Sequence, residues 1–385
     1  MSAYDAVVIG AGCVGLATAW RLRELGVERV ALVERFELGH HHGSSHGSAR
    51  VTRSIYNHPT YVRLMAEANA EAWPRLERDS QARLIHRTGG YLFGPEKGPF
   101  GAYLQAMEAG GAQVEHLDPL EVNRRCPALH VDLEDAAIYD PSSGVVFARL
   151  TLRALRARCE ALGVDIRAST PVTGIKSHPH AVSIETESGP METERLIVTA
   201  GPWSNRLVPE LSRRLMVRRQ TVAFLGGAKE ALWRIGTLTP WVWIGDGEDS
   251  VYYGTPSIDS HGPKVGHHQV AGGQVAGGAD DPDVLDAEPS QEAVRRILER
   301  ARRLFDARDL RVNKRSTCYY TLTQSEDFIL DTHPEDPRIV MGAGFSGHGF
   351  KFAPLTGRIL AELSVNGTTT VDAFERDRDR FRLKA

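Results

Sequence analysis

The chain has 385 residues, of which 42% are hydrophobic and 25% charged, the balance of an ordinary globular protein with enough length for two lobes. A net charge of −3 offers no basic surface to nucleic acid or an anionic membrane, and no run approaches the roughly 20 apolar residues of a membrane span. Four cysteines, Cys13, Cys126, Cys159 and Cys318, stand apart without CxxC or metal-type spacing, which points to a reducing, cytoplasmic setting.

Tyr4–Ile9 is an apolar run that predicts a buried strand, Val14–Leu25 has helical periodicity, and Val30–Val33 predicts a second strand ending in Glu34. No basic residue precedes Arg21, so the start reads as strand, glycine turn and helix and not as a secretory signal. Gly10, Gly12 and Gly15 form GxGxxG at the first turn, and Glu34 follows 19 residues after Gly15. Alone the glycine motif is weak. Between a strand and a helix, with an acid at that distance, it predicts a βαβ dinucleotide site: glycines allow a tight turn and close approach to a pyrophosphate, and Glu34 accepts hydrogen bonds from ribose.

His40, His41, His42 and His46 invite a metal reading, which we reject because adjacent loop histidines diverge and lack partners at ligand spacing. No nucleophile elbow or paired-carboxylate arrangement occurs either. Further along come a strand-like run Gly89–Phe93, a helix Phe147–Leu162, and strands Val164–Ile166, Val182–Thr186 and Leu196–Thr199, the last ending at Ala200-Gly201. Thr170-Pro171-Val172 is positioned to reach the nucleotide. The stretch Trp241–Asp246 is aromatic and either lines a large site or belongs to the core. Val251–Gly254 predicts a strand, Gly272–Gly278 a loop, and Ser290–Leu304 a helix.

Near the end, Arg338–Met341 predicts a strand and Phe352–Val365 a helix, joined by a segment rich in glycine that ends in Lys351. This is a second cradle at a helix mouth. Of the 46 basic residues only 7 are lysine, so Lys264 and Lys351, each in a glycine- or histidine-rich setting, stand out; lysine, unlike arginine, has a pKa that can move. The order of elements predicts a Rossmann-like α/β nucleotide domain in three pieces, 1–80, 141–210 and 328–385. Interleaved with it is a mixed-sheet, α+β substrate-binding cap, 81–140 and 211–327.

Taken together, Gly10–Gly15, Gly43–Arg53, Asp140–Gly144, Tyr252-Tyr253-Gly254, Cys318–Thr321 and Gly344–Phe352 resemble the amine-oxidising branch of the D-amino-acid-oxidase-like flavoproteins, the group of monomeric sarcosine oxidase and N-methyltryptophan oxidase. The likeness spans nearly the whole chain. It implies FAD, with adenosine on the N-terminal unit, the flavin between the lobes, and a thioether from Cys318. It implies cofactor contacts from Gly10, Gly12, Gly15, Glu34, Arg35, Ser44, His46, Arg50, Val172, Gly201, Gly344, Gly347, His348, Gly349 and Lys351.

The same resemblance gives Arg53 and Lys351 the substrate carboxylate, with Tyr320 assisting and Tyr253 and His268 as the opposite wall. Lys264 becomes the charge that promotes reaction with oxygen, with Arg50, His46, Tyr320 and His268 beside it as catalytic candidates. Cys13, Cys126 and Cys159 read as packing residues. The implied activity is oxidation of a secondary, N-methylated amino acid to an imine, with O2 reduced to H2O2, by a monomer that needs no metal, nucleic acid or membrane. Open alternatives are a larger cyclic or glycated amino acid as substrate, an FAD dehydrogenase using another acceptor, a nicotinamide enzyme, and a non-catalytic flavin-holding subunit.

Overall fold

The structure, a computed structural model, describes residues 4–246, 251–268, 280–285 and 287–383. The predicted Gly272–Gly278 loop lies outside the described residues. Two large sheets organise the rest. In the first, Tyr4–Ile9 is central and pairs in parallel with Met191–Val198 on one side and Val30–Val33 on the other. Asp165–Arg167 extends this sheet beyond Val30–Val33, and Ile339–Ala343 joins Met191–Val198 in parallel. Strands buried on both faces explain the unbroken apolar runs. Helices Cys13–Glu24 and Ala353–Asn366 pack on one face, where a Cβ on Gly357 would stand 2.5 Å from that of Ala17.

The second sheet runs in the order Arg311–Leu322, Met216–Gly226, Lys264–His268, Val251–Thr255, Trp241–Ile244, Gly90–Pro95, Asp135–Asp140, Glu115–Leu117. It is antiparallel except where Trp241–Ile244 meets Gly90–Pro95. Helix Gln291–Leu304, capped by the Ser290 hydroxyl, covers its outer face. Strand alternation decides the aromatic stretch: Trp241 and Trp243 turn outward, Trp241 against Phe305 and Trp243 beneath Arg300, while Val242 between them turns to the inner face. The tryptophans are core. A three-stranded sheet, Ala49–Thr52, Gly144–Phe147 and Ile85–Arg87, joins the two layers.

Expected elements differ from the structure mainly at their ends. The first helix is Cys13–Glu24, the middle one Ala148–Ala161, and the strand expected at Leu196–Thr199 is the end of the longer Met191–Val198. Phe352 closes a 3-10 turn, Gly349–Phe352, and the last long helix starts after it at Ala353.

Candidate active site

A cavity of about 420 Å³ runs along the inner face of the second sheet, from the Gly10–Val14 turn to Lys351. At the turn, Gly10 holds φ +96°, and a Cβ on Gly15 would stand 1.8 Å from the Gly10 carbonyl oxygen. Only glycine fits either position. Gly12 faces Ser45, whose Oγ accepts the Cys13 N–H at 3.1 Å. Glu34 accepts the backbone N–H groups of Ala11 at 2.8 Å and Phe36 at 3.0 Å, with His40 Nε2 3.4 Å away. Burial alone would raise its carboxyl pKa; His40 and these N–H groups more than offset that, so it is held low.

Thr170 donates its N–H to the Glu34 carbonyl at 2.7 Å, which brings Val172 to the cavity, and Gly201 lines it with φ +53°. Arg35 also lines it, between the Phe36 and Trp203 rings at 5.3 Å from each, and pairs with Asp283 at 2.9 Å. Arg35, expected as a cofactor contact, is thus held in place by a carboxylate of the chain itself.

In the middle stretch, Ser44 Oγ donates to the Tyr319 carbonyl at 2.5 Å. Arg50 donates to the carbonyls of Ala49 and Ser44 at 2.9 Å each and of His46 at 2.6 Å, so its guanidinium organises the Ser44–Ala49 loop. His46 is held neutral, its pKa pushed down to about 4 by burial and by Arg50, and its buried Nε2 has no hydrogen-bond partner among the described residues. Cys318 lies opposite Gln220 in the sheet, partly open to the cavity, its thiol pKa raised by burial.

Period-2 alternation puts Lys264 and His268 on the cavity face, and Cys318 and Tyr320 likewise. Lys264 Nζ donates to the Ala49 carbonyl at 2.6 Å, and burial, helped by Arg50, lowers its pKa to about 7. Tyr253 crosses Gly266, where a side chain would meet the phenol ring, and its hydroxyl pairs with that of Tyr320. Burial raises both phenol pKa values, that of Tyr253 to about 12. His268 Nδ1 lies 3.5 Å from Tyr320 Oη.

At the far end Lys351 Nζ donates to Tyr56 Oη at 2.9 Å, and Trp73 Nε1 donates to the Lys351 carbonyl at 2.7 Å, fixing the turn that carries it. Burial, then Arg53 and Arg50, push the Lys351 pKa well below its usual value. Arg53 lies over the Tyr56 ring at 4.6 Å and donates to the Ile55 carbonyl. Gly344 and Gly347 hold φ of +66° and +77°, and a side chain on Gly347 would strike the Tyr320 ring; Gly349 packs on Phe345. The His348 imidazole pairs with the Glu326 carbonyl at 3.1 Å, and burial keeps it neutral.

Residues 5–363 match the family described as FAD dependent oxidoreductase (DAO). Monomeric sarcosine oxidase from Bacillus sp. (strain B-0618) is 33% identical over 379 residues, 96% of this chain and 94% of that one. Human peroxisomal sarcosine oxidase is 33% identical over the same shares, and N-methyl-L-tryptophan oxidase from Yersinia pestis (strain Pestoides F) is 28% identical over 98% and 100%. The open form of NikD, an unusual amino acid oxidase essential for nikkomycin biosynthesis, superposes with TM-score 0.81 at 26% identity, covering 99% of this chain and 98% of that one. The chain belongs to the FAD-dependent oxidoreductase (DAO) family.

The cavity fits FAD on its own terms. The glycine turn offers helix N–H groups to a pyrophosphate, and the buried His46 Nε2 lacks a partner among the described residues. Arg50, Arg53, Lys264 and Lys351 all line the cavity, and none pairs with a carboxylate among the described residues. Lys264 and Lys351 are buried and Arg50 and Arg53 half-buried, and basic groups so placed without ion-pair partners suit anionic ligands. All the expected site residues lie along this cavity or in its glycine turns. Sequence reasoning missed Ser45, Tyr56, Tyr103 and Trp203. Ser45 lay inside the Gly43–Arg53 motif, Tyr56 three residues beyond Arg53, and Trp203 just after the Ala200-Gly201 strand end, whereas Tyr103 carried no local signal.

Proposed function

We propose that this protein is a flavin-dependent oxidase of secondary, N-methylated amino acids, working as a cytoplasmic monomer with FAD held by a thioether to Cys318. In this reading the pieces 1–80, 141–210 and 328–385 bind FAD, and 81–140 and 211–327 cap the substrate. The observation that carries it is the set of four basic side chains on one cavity, none in an ion pair with a carboxylate among the described residues. Arg50 and Lys264 stand near Cys318, whereas Arg53 and Lys351 stand together beyond them. The first pair suits a flavin ring that gains negative charge; the second suits a substrate carboxylate. The names of the sarcosine and N-methyl-L-tryptophan oxidases among the relatives agree with such a substrate.

Bound FAD supplies the redox chemistry, taking two electrons with hydrogen from the substrate C–N unit and passing them to O2 to give H2O2. The chain orients and excludes. Arg53 and Lys351 fix the carboxylate, which fixes the amine and its neighbouring carbon. Tyr253, Tyr320 and His268 form the facing wall, with both phenols kept protonated by burial. The neutral amine is the reactive form, so substrate oxidation rises with pH. The imine product then hydrolyses in water.

The test is a peroxide assay in air over N-methyl and cyclic amino acids, run beside the same amines lacking the carboxylate. Peroxide from the amino acids, and at least about a hundredfold less from the plain amines, is expected from two charge-assisted contacts. Equal turnover of the carboxylate-free amines would sink the assignment of Arg53 and Lys351.

A further inference from the structure

Tyr103 has no assigned part in the reaction, yet it reaches the cavity from the other lobe. It stands on helix Pro99–Gly110, and its ring centre lies 5.6 Å from the Arg53 guanidinium carbon. The Tyr56 ring centre lies 4.6 Å from the same carbon. The spacing is set by close packing behind the rings: a Cβ on Gly110 would stand 2.5 Å from the Cβ of Val62, so helices Pro99–Gly110 and Pro59–Glu67 are pressed together. Among the described residues Arg53 itself makes one hydrogen bond, to the Ile55 carbonyl. Most of its N–H groups remain unused.

A guanidinium within about 6 Å of two aromatic ring centres is attracted to both by their quadrupoles. Ring faces do not consume its N–H groups as a carboxylate of the chain would, so the fork stays oriented and available. We propose that Tyr103 is a positioning residue: with Tyr56 it clamps the Arg53 guanidinium so that its free N–H edge meets the substrate carboxylate. This rests on the reading of the cavity as an amino-acid oxidase site. Because Tyr103 belongs to the cap and Arg53 to the nucleotide-binding side, the clamp makes carboxylate affinity depend on how the two lobes are set against each other.

The experiment compares flavin-loaded Tyr103→Phe, Tyr103→Leu, Tyr103→Trp and Arg53→Met with the parent enzyme. Readouts are KM and kcat for the best amino-acid substrate, the Kd of propionate from the visible flavin spectrum, and Tm. Tyr103→Leu is expected to raise KM and the propionate Kd about three- to thirtyfold, the range of one cation–π contact, with kcat within about twofold. Tyr103→Phe and Tyr103→Trp keep an aromatic face and should stay near the parent. If Tyr103→Leu matches Tyr103→Phe in propionate affinity, or if Phe and Trp fail to rescue, the proposal is overturned. If Arg53→Met leaves propionate affinity unchanged, the carboxylate-binding reading fails first, and the clamp with it.

Discussion

Lys264 Nζ donates to the Ala49 carbonyl at 2.6 Å, tying the inner face of the second sheet to the three-stranded sheet. The bond satisfies one proton of the amine, while burial and Arg50 bring its pKa to about 7. For a base whose folded pKa is depressed, the charged form dominates below that value and is lost as pH rises through it. If that charge assists oxygen, the rate of enzyme reoxidation by O2 falls between about pH 6 and 8, the opposite of the rise expected for substrate oxidation. Stopped-flow reoxidation should show this limb in the parent. Lys264→Met should lack it and react about 10²–10³-fold more slowly, the effect of one charge near 4 Å at an effective dielectric of 20. A parent profile that is flat from pH 6 to 8 contradicts the assignment.

Lys351 is depressed too, by burial first and then by Arg53 and Arg50. An incoming carboxylate reverses the balance, since it favours the charged amine. Binding of a carboxylate ligand therefore takes up a proton, and the Kd of propionate should rise toward tenfold per pH unit above the free-enzyme pKa. Titration calorimetry in two buffers of different ionisation enthalpy reads the proton directly. Lys351→Met should abolish the uptake and weaken binding about 10- to 100-fold, the worth of one charge-assisted hydrogen bond. No proton uptake in the parent would show that Lys351 is not the group facing the carboxylate.

Much of this was legible because it follows from period and spacing. GxGxxG with Glu34 set the central turn, and the Gly344–Lys351 segment set the opposite cradle. Lys264 and His268, four apart in a strand, had to share a face. What sequence left undecided was which face of Trp241–Ile244 met the cavity, because a strand between two packed layers is apolar on both sides. Tyr103 was invisible for another reason: it meets Arg53 only through the packing of helix Pro99–Gly110, fifty positions on, and no local pattern encodes that. Arg35 was legible as a cavity residue, but its partner Asp283 is 248 positions away.

Cys318 is partly exposed, whereas Cys126 and Cys159 are buried away from the cavity and Cys13, though it lines the glycine turn, is buried too. Its thiol is raised by burial and partly lowered by Arg50 and Lys264, the two cations nearest in effect. Attachment at this sulfur predicts yellow colour that stays with the peptide after acid precipitation. Cys318→Ala should release the colour to the supernatant while still binding FAD, since the glycine turn and Glu34 remain. A colourless pellet from the parent protein would remove the thioether.

Asp283 draws together Trp203 Nε1 at 2.8 Å, Arg35 at 2.9 Å and Arg206, while Asp281 takes the other Arg206 nitrogen at 2.6 Å. Residues 280–283 thereby latch onto the nucleotide end of the cavity, which Arg35, Trp203 and Arg206 line. Burial raises the Asp283 carboxyl pKa, but Trp203 and the two arginines outweigh it, so the group is held low. A depressed acid contributes its stabilisation above its unfolded value and loses it as pH falls through the folded one, so the latch holds at neutral pH and loosens under acid. In a Cys318→Ala background, where FAD exchanges, Asp283→Ala should speed FAD dissociation about three- to tenfold at pH 7. It should also abolish the acid acceleration below about pH 4 that the intact latch predicts. The measurement is recovery of free-FAD fluorescence after dilution. Slower release in the variant would mean that Asp283 competes with the cofactor for Arg35 instead of closing over it.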